Sequence, residues 1–184
     1  EADDGAGLDL DLSKSSAPEG DQAPGESGFP SHIFRAYDIR GNAKSELTDD
    51  LVARIGKAIG TLAGEMDEQT IIIGCDGRKS SPRIKSALIK SLMESGRDVI
   101  DIGLVPTPLM YFATRHLNCR SGIMVTGSHN PGEDNGMKVV LNQKTIAAGG
   151  IQQIQELVIK DQYRSGSGRM IRENVVADYA DEVP

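Results

Sequence analysis

The segment Ile71-Ile72-Ile73-Gly74-Cys75 is followed, six residues later, by Ser81-Pro82 and a run of apolar residues at helical spacing. A short, continuous run of β-branched residues that ends at glycine predicts a buried strand. Serine followed by proline favours the start of a helix, and Gly96 is a suitable end for it. The inward-facing apolar residues of this helix are Ile84, Leu88 and Leu92. A strand, a short loop and a helix in this order are typical of a sheet covered by helices.

The same alternation continues on both sides of this unit. Further helices are predicted over residues 48–63, with Thr48 as N-cap, over 107–117 and from about 151 to 160. Further strands are predicted over residues 99–104, 123–125 and 137–141. The short gap between the last two favours an antiparallel hairpin, whereas strands joined through helices pair in parallel. The sequence therefore predicts an α/β fold with a mixed, mostly parallel sheet covered by helices in layers. In such sheets, chemistry gathers at loops beyond the carboxyl ends of strands.

Charge is unevenly distributed along the 184 residues. The formal net charge is −7, and residues 1–28 contain eight acidic residues against one basic residue, whereas residues 29–184 contain 19 of each. A neutral body lacks the basic surface that attracts nucleic acid or anionic lipid, and no apolar run reaches the length of a membrane span. Two cysteines are too few for a disulfide framework. These observations predict a globular, cytoplasmic protein.

The composition divides the chain into three expected segments. Residues 1–28 lack aromatic side chains and predict a disordered acidic linker, with an acidic interaction arm as the alternative. Residues 29–168 predict one α/β domain, and residues 169–184 a connector toward a further domain. Because the chain begins without methionine and stops just after a polar segment, we expect it to be a piece of a longer protein.

The loop Thr126-Gly127-Ser128-His129-Asn130-Pro131 directly follows the predicted strand 123–125. It places a hydroxyl on a tight turn where backbone N–H groups can converge on an anion. Asn135-Gly136 predicts a turn into the next strand, which could return the Lys138 ammonium beside Ser128. A hydroxyl, an ammonium and amide donors suit phosphoryl transfer. A plain loop rich in turn residues explains the same glycine, asparagine and proline equally well.

Two further segments carry charged groups suited to anions. Arg78 follows the strand 71–75 and precedes a helix start, a combination that favours anion binding, with an ordinary strand-to-helix turn as the alternative. Arg40 lies near the end of Phe34-Arg35-Ala36-Tyr37-Asp38-Ile39-Arg40-Gly41. It could reach a phosphate, or it could belong to an exposed strand and turn with paired charges.

Two common classes of site are disfavoured. Ser128 and His129 are adjacent, so their side chains diverge in extended geometry, and their loop does not match the G-x-S-x-G pattern of serine hydrolases. Residues 132–138 lack the G-x-x-x-x-G-K-[ST] spacing of nucleotide-binding loops.

Five short motifs, taken together, resemble those of a known family. In chain order they are Phe34-Arg35-Ala36-Tyr37-Asp38-Ile39-Arg40-Gly41, Gly74-Cys75-Asp76-Gly77-Arg78, Val105-Pro106-Thr107-Pro108, Thr126-Gly127-Ser128-His129-Asn130-Pro131 and Asn135-Gly136-Met137-Lys138. In order and spacing they are similar to the first domain of the α-D-phosphohexomutase family, in its bacterial phosphomannomutase/phosphoglucomutase branch. The resemblance covers most of residues 29–184.

This resemblance implies that Ser128 is carried as phosphoserine. It would donate its phosphate to one end of a hexose monophosphate and recover phosphate from the other end of the bound 1,6-bisphosphate. The resemblance also implies a Mg²⁺ ion, held by Ser128 through its phosphate and otherwise by ligands in a missing second domain. Lys138 matches the general acid/base. The other matching site residues are His129 and Asn130, which orient the reacting groups, and Tyr37 and Arg40, which line the site; Arg78 is a further phosphate-binding candidate.

The family resembled here has four domains, and this chain supplies one. We therefore expect its partners to be a phosphosugar and the remaining domains of the same polypeptide, and we expect the chain alone to be inactive. The residues that would distinguish mannose from glucose phosphates are absent. A non-catalytic α/β binding or regulatory module of the same fold is the alternative.

Overall fold

The computed structural model describes residues 28–182 of the chain. The predicted acidic linker therefore lies, except for Gly28, outside the described residues. The helices are α1 (Asp49–Glu65), α2 (Ser81–Glu94), α3 (Thr107–His116), α4 (Gly149–Lys160) and α5 (Val176–Glu182). The strands are β1 (Ile39–Asn42), β2 (Thr70–Cys75), β3 (Asp98–Leu104), β4 (Gly122–Val125), β5 (Asp134–Leu141), β6 (Lys144–Thr145) and β7 (Met170–Arg172). Within this range, the helices are all too short or too polar to cross a membrane.

The seven strands form one sheet in the order β1-β5-β4-β2-β3-β7, with β6 paired to β5. Pairing is parallel between β4, β2, β3 and β7, and antiparallel wherever β5 is involved. Among these strands, therefore, only β5 runs against the others. The prediction of a mixed, mostly parallel sheet is confirmed, and so is the antiparallel hairpin of β4 and β5.

Helices cover the sheet on both faces. One core packs α1, α2 and α4 against one face and includes Ile71 and Ile73 of β2. The second core packs α3 against the opposite face and includes Ile72. All three isoleucines are fully buried. Side chains alternate between the two faces of a strand, so a strand covered on both sides needs an unbroken apolar run. This is why Ile71-Ile72-Ile73 decides the layer architecture.

Two helix ends follow the local sequence as predicted. Thr48 caps α1, because its Oγ1 accepts a hydrogen bond from the Leu51 N–H at 3.3 Å. Asp49 and Asp50 occupy the first turn, where carboxylates interact favourably with the helix dipole. At the end of α2, Gly96 has a φ of +89°, a left-handed conformation that glycine adopts without steric cost.

The last described residues add two elements to the domain. β7 pairs in parallel with β3 at the edge of the sheet. Helix α5 packs on α3, with Tyr179 in edge-to-face contact with Phe112 at a centroid distance of 5.2 Å. Both elements lie in the segment that the sequence predicts as a connector, so residues 170–182 of that segment pack against the α/β body.

Candidate functional site

Ser128 lies just beyond the carboxyl end of β4, where three segments meet. Met137 of β5 pairs with Val125 on one side and with Ile39 on the other, so β1 begins at the level where β4 ends. The loop at residues 76–80 follows β2, which is the other neighbour of β4. The order of the strands therefore brings three motif-bearing segments to one edge of the sheet, as expected for an α/β site.

The backbone of Ser128 is in the left-handed conformation, with a φ of +51°. A residue with a side chain adopts this conformation at a cost on the order of 1 kcal/mol or more. Two contacts offset that cost: the Ser128 N–H donates to Thr126 Oγ1 at 2.9 Å, and the Ser128 carbonyl accepts a hydrogen bond from Arg78 at 3.0 Å. The side chain is half-buried. Thr126 and Arg78 thus hold the turn from which the Ser128 hydroxyl is presented.

Arg40 connects β1 to this loop. Its Nη1 donates to Asn130 Oδ1 at 2.7 Å and to the Gly127 carbonyl at 3.0 Å, and its Nη2 lies 3.3 Å from Ser128 Oγ. The same Nη2 donates to Asp38 at 2.5 Å. Only 9% of the Arg40 side chain is exposed, and its buried Nε has no hydrogen-bond partner among the described residues. A shielded guanidinium therefore lies directly beside the Ser128 hydroxyl.

Arg78 lies inside the segment 126–134, here called the Ser128 loop, which follows β4 and ends with the first residue of β5. Its Nη2 donates to the carbonyls of Ser128 and Asn130, at 3.0 and 2.8 Å. Its Nη1 donates to the carbonyls of Pro131 and Asp134, at 2.5 and 3.0 Å. The two terminal nitrogens of Arg78 thus donate four hydrogen bonds to backbone carbonyls of this loop. The sequence predicted a phosphate-binding role for Arg78, whereas these contacts are to the protein itself.

Asp76 joins the loop after β2 to the loop after β4. Its carboxylate accepts hydrogen bonds from Ser81 Oγ at 2.5 Å, from the Arg78 N–H at 3.1 Å and from the Gly127 N–H at 3.2 Å. Burial acts to raise the pKa of Asp76. The hydrogen bonds from Ser81, from the backbone of Arg78, from Thr126 and from the backbone of Gly127 lower it below its ordinary value. Asp76 is therefore a stable anion at neutral pH, and it binds both loops.

The remaining predicted site residues lie around this centre. Lys138 is half-buried on β5, and its register position puts it on the same face of the sheet as Arg40, diagonally across the β1–β5 pair. His129 is exposed, and Tyr37 is 74% exposed. The structure thus joins Ser128, Arg40 and Asn130 by hydrogen bonds. It places Lys138, His129 and Tyr37 around this group, near the same end of the strands.

Asn135 and Gly136 correct one prediction. The sequence predicted a turn at this dipeptide, but both residues lie within β5. Asn135 is fully buried, and its Nδ2 donates to Ser80 Oγ and Ser81 Oγ at 2.8 and 2.9 Å. Gly136 leaves room for the neighbouring strand, since a Cβ there would lie 2.3 Å from the Ile39 carbonyl oxygen. Asn135 is thus used for its amide, and Gly136 because the adjacent strand leaves no room for a side chain. Asparagine followed by glycine is also typical of turns, which explains the wrong prediction.

Sequence reasoning did not assign roles to Asp38 and Asp76. Both are acids within recognised motifs, and each is paired with an arginine of the same motif. The short spacing of opposite charges in Asp38-Ile39-Arg40 and Asp76-Gly77-Arg78 is the signal that could have identified them. These carboxylates orient the two guanidinium groups.

A metal ion at this site would need several ligating side chains close together. Among residues 28–182, His, Cys, Asp and Glu side chains form no group of three or more that could hold a metal ion. Two carboxylates around Ser128 are engaged, Asp38 by Arg40 and Asp134 by the Asn130 amide at 3.2 Å. Mg²⁺ prefers oxygen ligands and commonly binds through phosphate. Among residues 28–182, the His, Cys, Asp and Glu side chains therefore do not by themselves supply the ligand set of such an ion.

The family assignment is decided by a match over most of the domain. Residues 31–165 match the sequence model for "Phosphoglucomutase/phosphomannomutase, alpha/beta/alpha domain I". The chain belongs to this family. The resemblance found from five short motifs is therefore confirmed over residues 31–165, and the chain contains a domain I of the phosphoglucomutase/phosphomannomutase family.

Named relatives agree with this assignment. A phosphomannomutase/phosphoglucomutase of Pseudomonas aeruginosa is 40% identical over 155 residues, which make up 84% of this chain and 34% of that protein. A phosphoglucomutase of Neisseria gonorrhoeae is 39% identical over 153 residues. The crystal structure of a phosphoglucomutase/phosphomannomutase family protein from Burkholderia thailandensis is similar to this chain, with 36% sequence identity and a TM-score of 0.78. The similarity covers 81% of this chain and 34% of that protein. The chain spans about a third of the length of its relatives.

Proposed function

We propose that the parent polypeptide is a phosphohexomutase that interconverts hexose 6-phosphate and hexose 1-phosphate through a bound hexose 1,6-bisphosphate. In this proposal, the chain supplies the phosphoserine, Ser128. The observation that carries the proposal is the Arg40 guanidinium, shielded from solvent and 3.3 Å from Ser128 Oγ. A cationic hydrogen-bond donor at this position can stabilise the charge that develops on the serine oxygen when a phosphoryl group arrives or leaves. The relatives' names support the same reaction class.

The proposed reaction exchanges a phosphoryl group for a proton. The bond between Ser128 Oγ and phosphorus breaks while a bond forms between phosphorus and a sugar hydroxyl oxygen. Lys138 relays the proton of that hydroxyl to Ser128 Oγ as this oxygen leaves phosphorus, so the proton and the phosphoryl group exchange places. The reverse transfer, from the other end of the bisphosphate, restores the phosphoserine and releases the isomeric monophosphate. Atoms and charge balance over the cycle.

The neighbouring side chains have distinct parts in this proposal. Arg40 stabilises negative charge on Ser128 Oγ as the bond to phosphorus breaks, and Asp38 fixes the guanidinium for that purpose. Asn130 is held by Arg40 Nη1 and orients the phosphoryl group. His129 and Tyr37 are exposed beside these residues and are available to the sugar phosphate. These roles follow from position and from the family resemblance.

Mg²⁺ belongs to the proposal as a cofactor of the parent protein. When bound to a phosphoserine oxygen, it would offset the charge of the transferring group. Within this chain only Ser128, through its phosphate, is proposed as a ligand, so the remaining ligands must come from another part of the parent. For the same reason, we expect this chain alone to have no useful mutase turnover.

The proposed parent contains further domains that complete the site. We assign residues 29–168 to the phosphoserine-bearing domain, in line with the family match that ends at residue 165. Residues 169–184 are proposed to lead to the next domain. Leu104 and Val176 are 69% and 52% exposed and line a groove of about 510 Å³ that the next domain would cover. A cytoplasmic location is also proposed, since Cys75 and Cys119 are both free thiols.

The proposal is tested by locating phosphate on the parent protein. After incubation with hexose 1,6-bisphosphate, digestion with trypsin should release residues 121–138 as one peptide, because cleavage follows Arg120 and Lys138. We expect fragmentation mass spectrometry to place one phosphate on Ser128, not on Ser121 or Thr126. Phosphate at another residue, or none on this peptide, would contradict the proposal.

A further inference from the structure

We propose that Arg78 is a positioning residue that holds the Ser128 loop from inside and so sets where the Ser128 hydroxyl is presented. The benefit to phosphoryl transfer rests on the proposed function; the effect on the loop does not. Arg78 touches the backbone of the loop at four carbonyls, those of Ser128, Asn130, Pro131 and Asp134.

The shape of guanidinium explains why an arginine is used here. Its terminal nitrogens offer four N–H bonds in a rigid plane, so one side chain can hold several oxygens at fixed angles. The four carbonyls lie within seven residues of chain, 128–134, and all accept from this one group. A loop wrapped around a planar cation in this way has little freedom to change the direction of its peptide groups. Its left-handed serine is thereby kept in place.

Gly127 shows how closely the loop surrounds the guanidinium. A Cβ at this position would lie 2.3 Å from Arg78 Cζ and 2.4 Å from its Nε, well inside van der Waals contact. The backbone next to Ser128 thus lies directly against the cation, with no room for a side chain. Glycine is required here by that close approach, not by a left-handed φ.

Arg78 is itself fixed from the side of β2. Its Nε lies 3.4 Å from the Asp76 carboxylate, which also accepts hydrogen bonds from the Gly127 N–H and Ser81 Oγ. Asn135 then joins Ser81 to β5 through its amide. A chain of polar contacts therefore runs from α2 through Asp76 and Arg78 to the Ser128 turn. The position of the serine is coupled to the packed body of the domain by this chain.

These contacts distinguish positioning from phosphate binding. The Arg78 side chain is 16% exposed, and a phosphate that engaged its terminal nitrogens would have to displace loop carbonyls. Arg40, in contrast, directs an Nη2 hydrogen-bond donor to Ser128 Oγ. Two arginines at one edge of the sheet therefore act on different atoms, Arg40 on the hydroxyl and Arg78 on the backbone that carries it.

The test compares Arg78→Lys with a matched control, Arg83→Lys, in the 184-residue chain. Arg83 also spans two carbonyls, those of Ala43 and Leu47, and the carboxylate of Asp49, but none of these partners belongs to the Ser128 loop. Lysine keeps the charge and loses the planar fork. We expect backbone ¹⁵N order parameters of residues 127–130 to fall from about 0.85 to below about 0.6 in Arg78→Lys alone.

Three results would overturn the proposal. The first is an Arg78→Lys loop as ordered as the wild type, and the second is the same loss of loop order in Arg83→Lys. The third is global unfolding of Arg78→Lys where Arg83→Lys folds, because Arg78 would then stabilise the domain as a whole. As a further check, adding guanidinium ion at non-denaturing concentration to Arg78→Ala should move the amide signals of residues 127–130 back toward their wild-type positions.

Kinetics of the parent protein connect the loop to the reaction. Misplacement of a reacting group by about 1 Å costs on the order of 100-fold in rate, so Arg78→Lys should lower kcat by about that factor and leave KM for the hexose phosphate nearly unchanged. A raised KM with unchanged kcat would instead make Arg78 a substrate-binding residue. If the loop loosens but the wild-type parent has no mutase activity, the positioning role stands and the proposed function fails.

Discussion

Arg40 Nη2 lies 3.3 Å from Ser128 Oγ, although the two residues are 88 positions apart in the chain. Strand order creates this contact, because β5 pairs with both β1 and β4 and so places Arg40 level with the end of β4. The same guanidinium is bound to Asp38 and is almost completely shielded from solvent. Charge–dipole interactions are stronger in such shielded surroundings than at an exposed surface.

Replacement of Arg40 tests the importance of this contact. Arg40→Lys keeps a positive charge but cannot contact Asp38, Asn130 and Ser128 together from one ammonium nitrogen in the same geometry. We expect kcat of the parent to fall by about 100-fold, the effect of losing one preorganised donor. Arg35→Lys is the control, because Arg35 is 52% exposed and lies in the same segment. An unchanged kcat in Arg40→Lys would contradict the assigned role.

The central strand is expected to dominate the stability of the domain. Ile73→Ala removes a fully buried side chain between β2 and the helices, which should lower the free energy of unfolding by about 2–5 kcal/mol. Ile159 is 50% exposed on α4, so Ile159→Ala should change it by less than about 0.5 kcal/mol. Urea denaturation followed by circular dichroism measures both values. Equal losses would show that the core is not where the structure places it.

Asp76 predicts a particular response to acid. Its pKa in the folded state lies below the ordinary value of 3.8, so its ionised form favours folding at any pH above that value. This contribution is lost as pH falls below 3.8 and through the lower pKa of the folded state. Asp76→Asn should therefore reduce the dependence of stability on pH in this acidic range.

The measurement is the thermal midpoint of both proteins as a function of pH. Glu46, whose pKa is also lowered, chiefly by a hydrogen bond from the Asn42 backbone, is present in both, so the difference between the two curves isolates Asp76. Parallel curves between neutral pH and the acid limit would be inconsistent with the assigned hydrogen bonds.

The sequence predicted those parts of the fold that depend on local pattern. Ile71-Ile72-Ile73 indicates a strand buried on both faces because each side chain of the run is apolar, and the structure buries all three. Thr48 was identified as a cap because a hydroxyl precedes two acids and an amphipathic run. β7 was not predicted, since Met170–Arg172 is only three residues long and exposed throughout. Its position depends on pairing with β3, which no local pattern reports.

The difference between local pattern and contacts that depend on the folded chain applies to the site as well. The sequence predicts site roles for Ser128, Arg40 and Lys138 because their residue types carry the chemistry and their motifs resemble the family. The structure places Arg40 beside Ser128, and the roles themselves stay predictions. The contacts of Arg78 could not be predicted, because its partners are backbone carbonyls whose positions depend on the folded loop. Asn135 before Gly136 predicts a turn, because this dipeptide is typical of turns. In the structure, the Asn135 amide instead donates to Ser81 of α2 and to Ser80 in the loop before α2.

Ser128→Ala in the parent protein is the most direct test of the central claim, that this residue carries the phosphoryl group. The substitution removes the Oγ atom that forms the bond to phosphorus, and Ser86→Ala, at an exposed position of α2, is the matched control. Mutase turnover should disappear in Ser128→Ala and persist in Ser86→Ala, with both proteins folded. Turnover at the wild-type rate in Ser128→Ala would contradict the account.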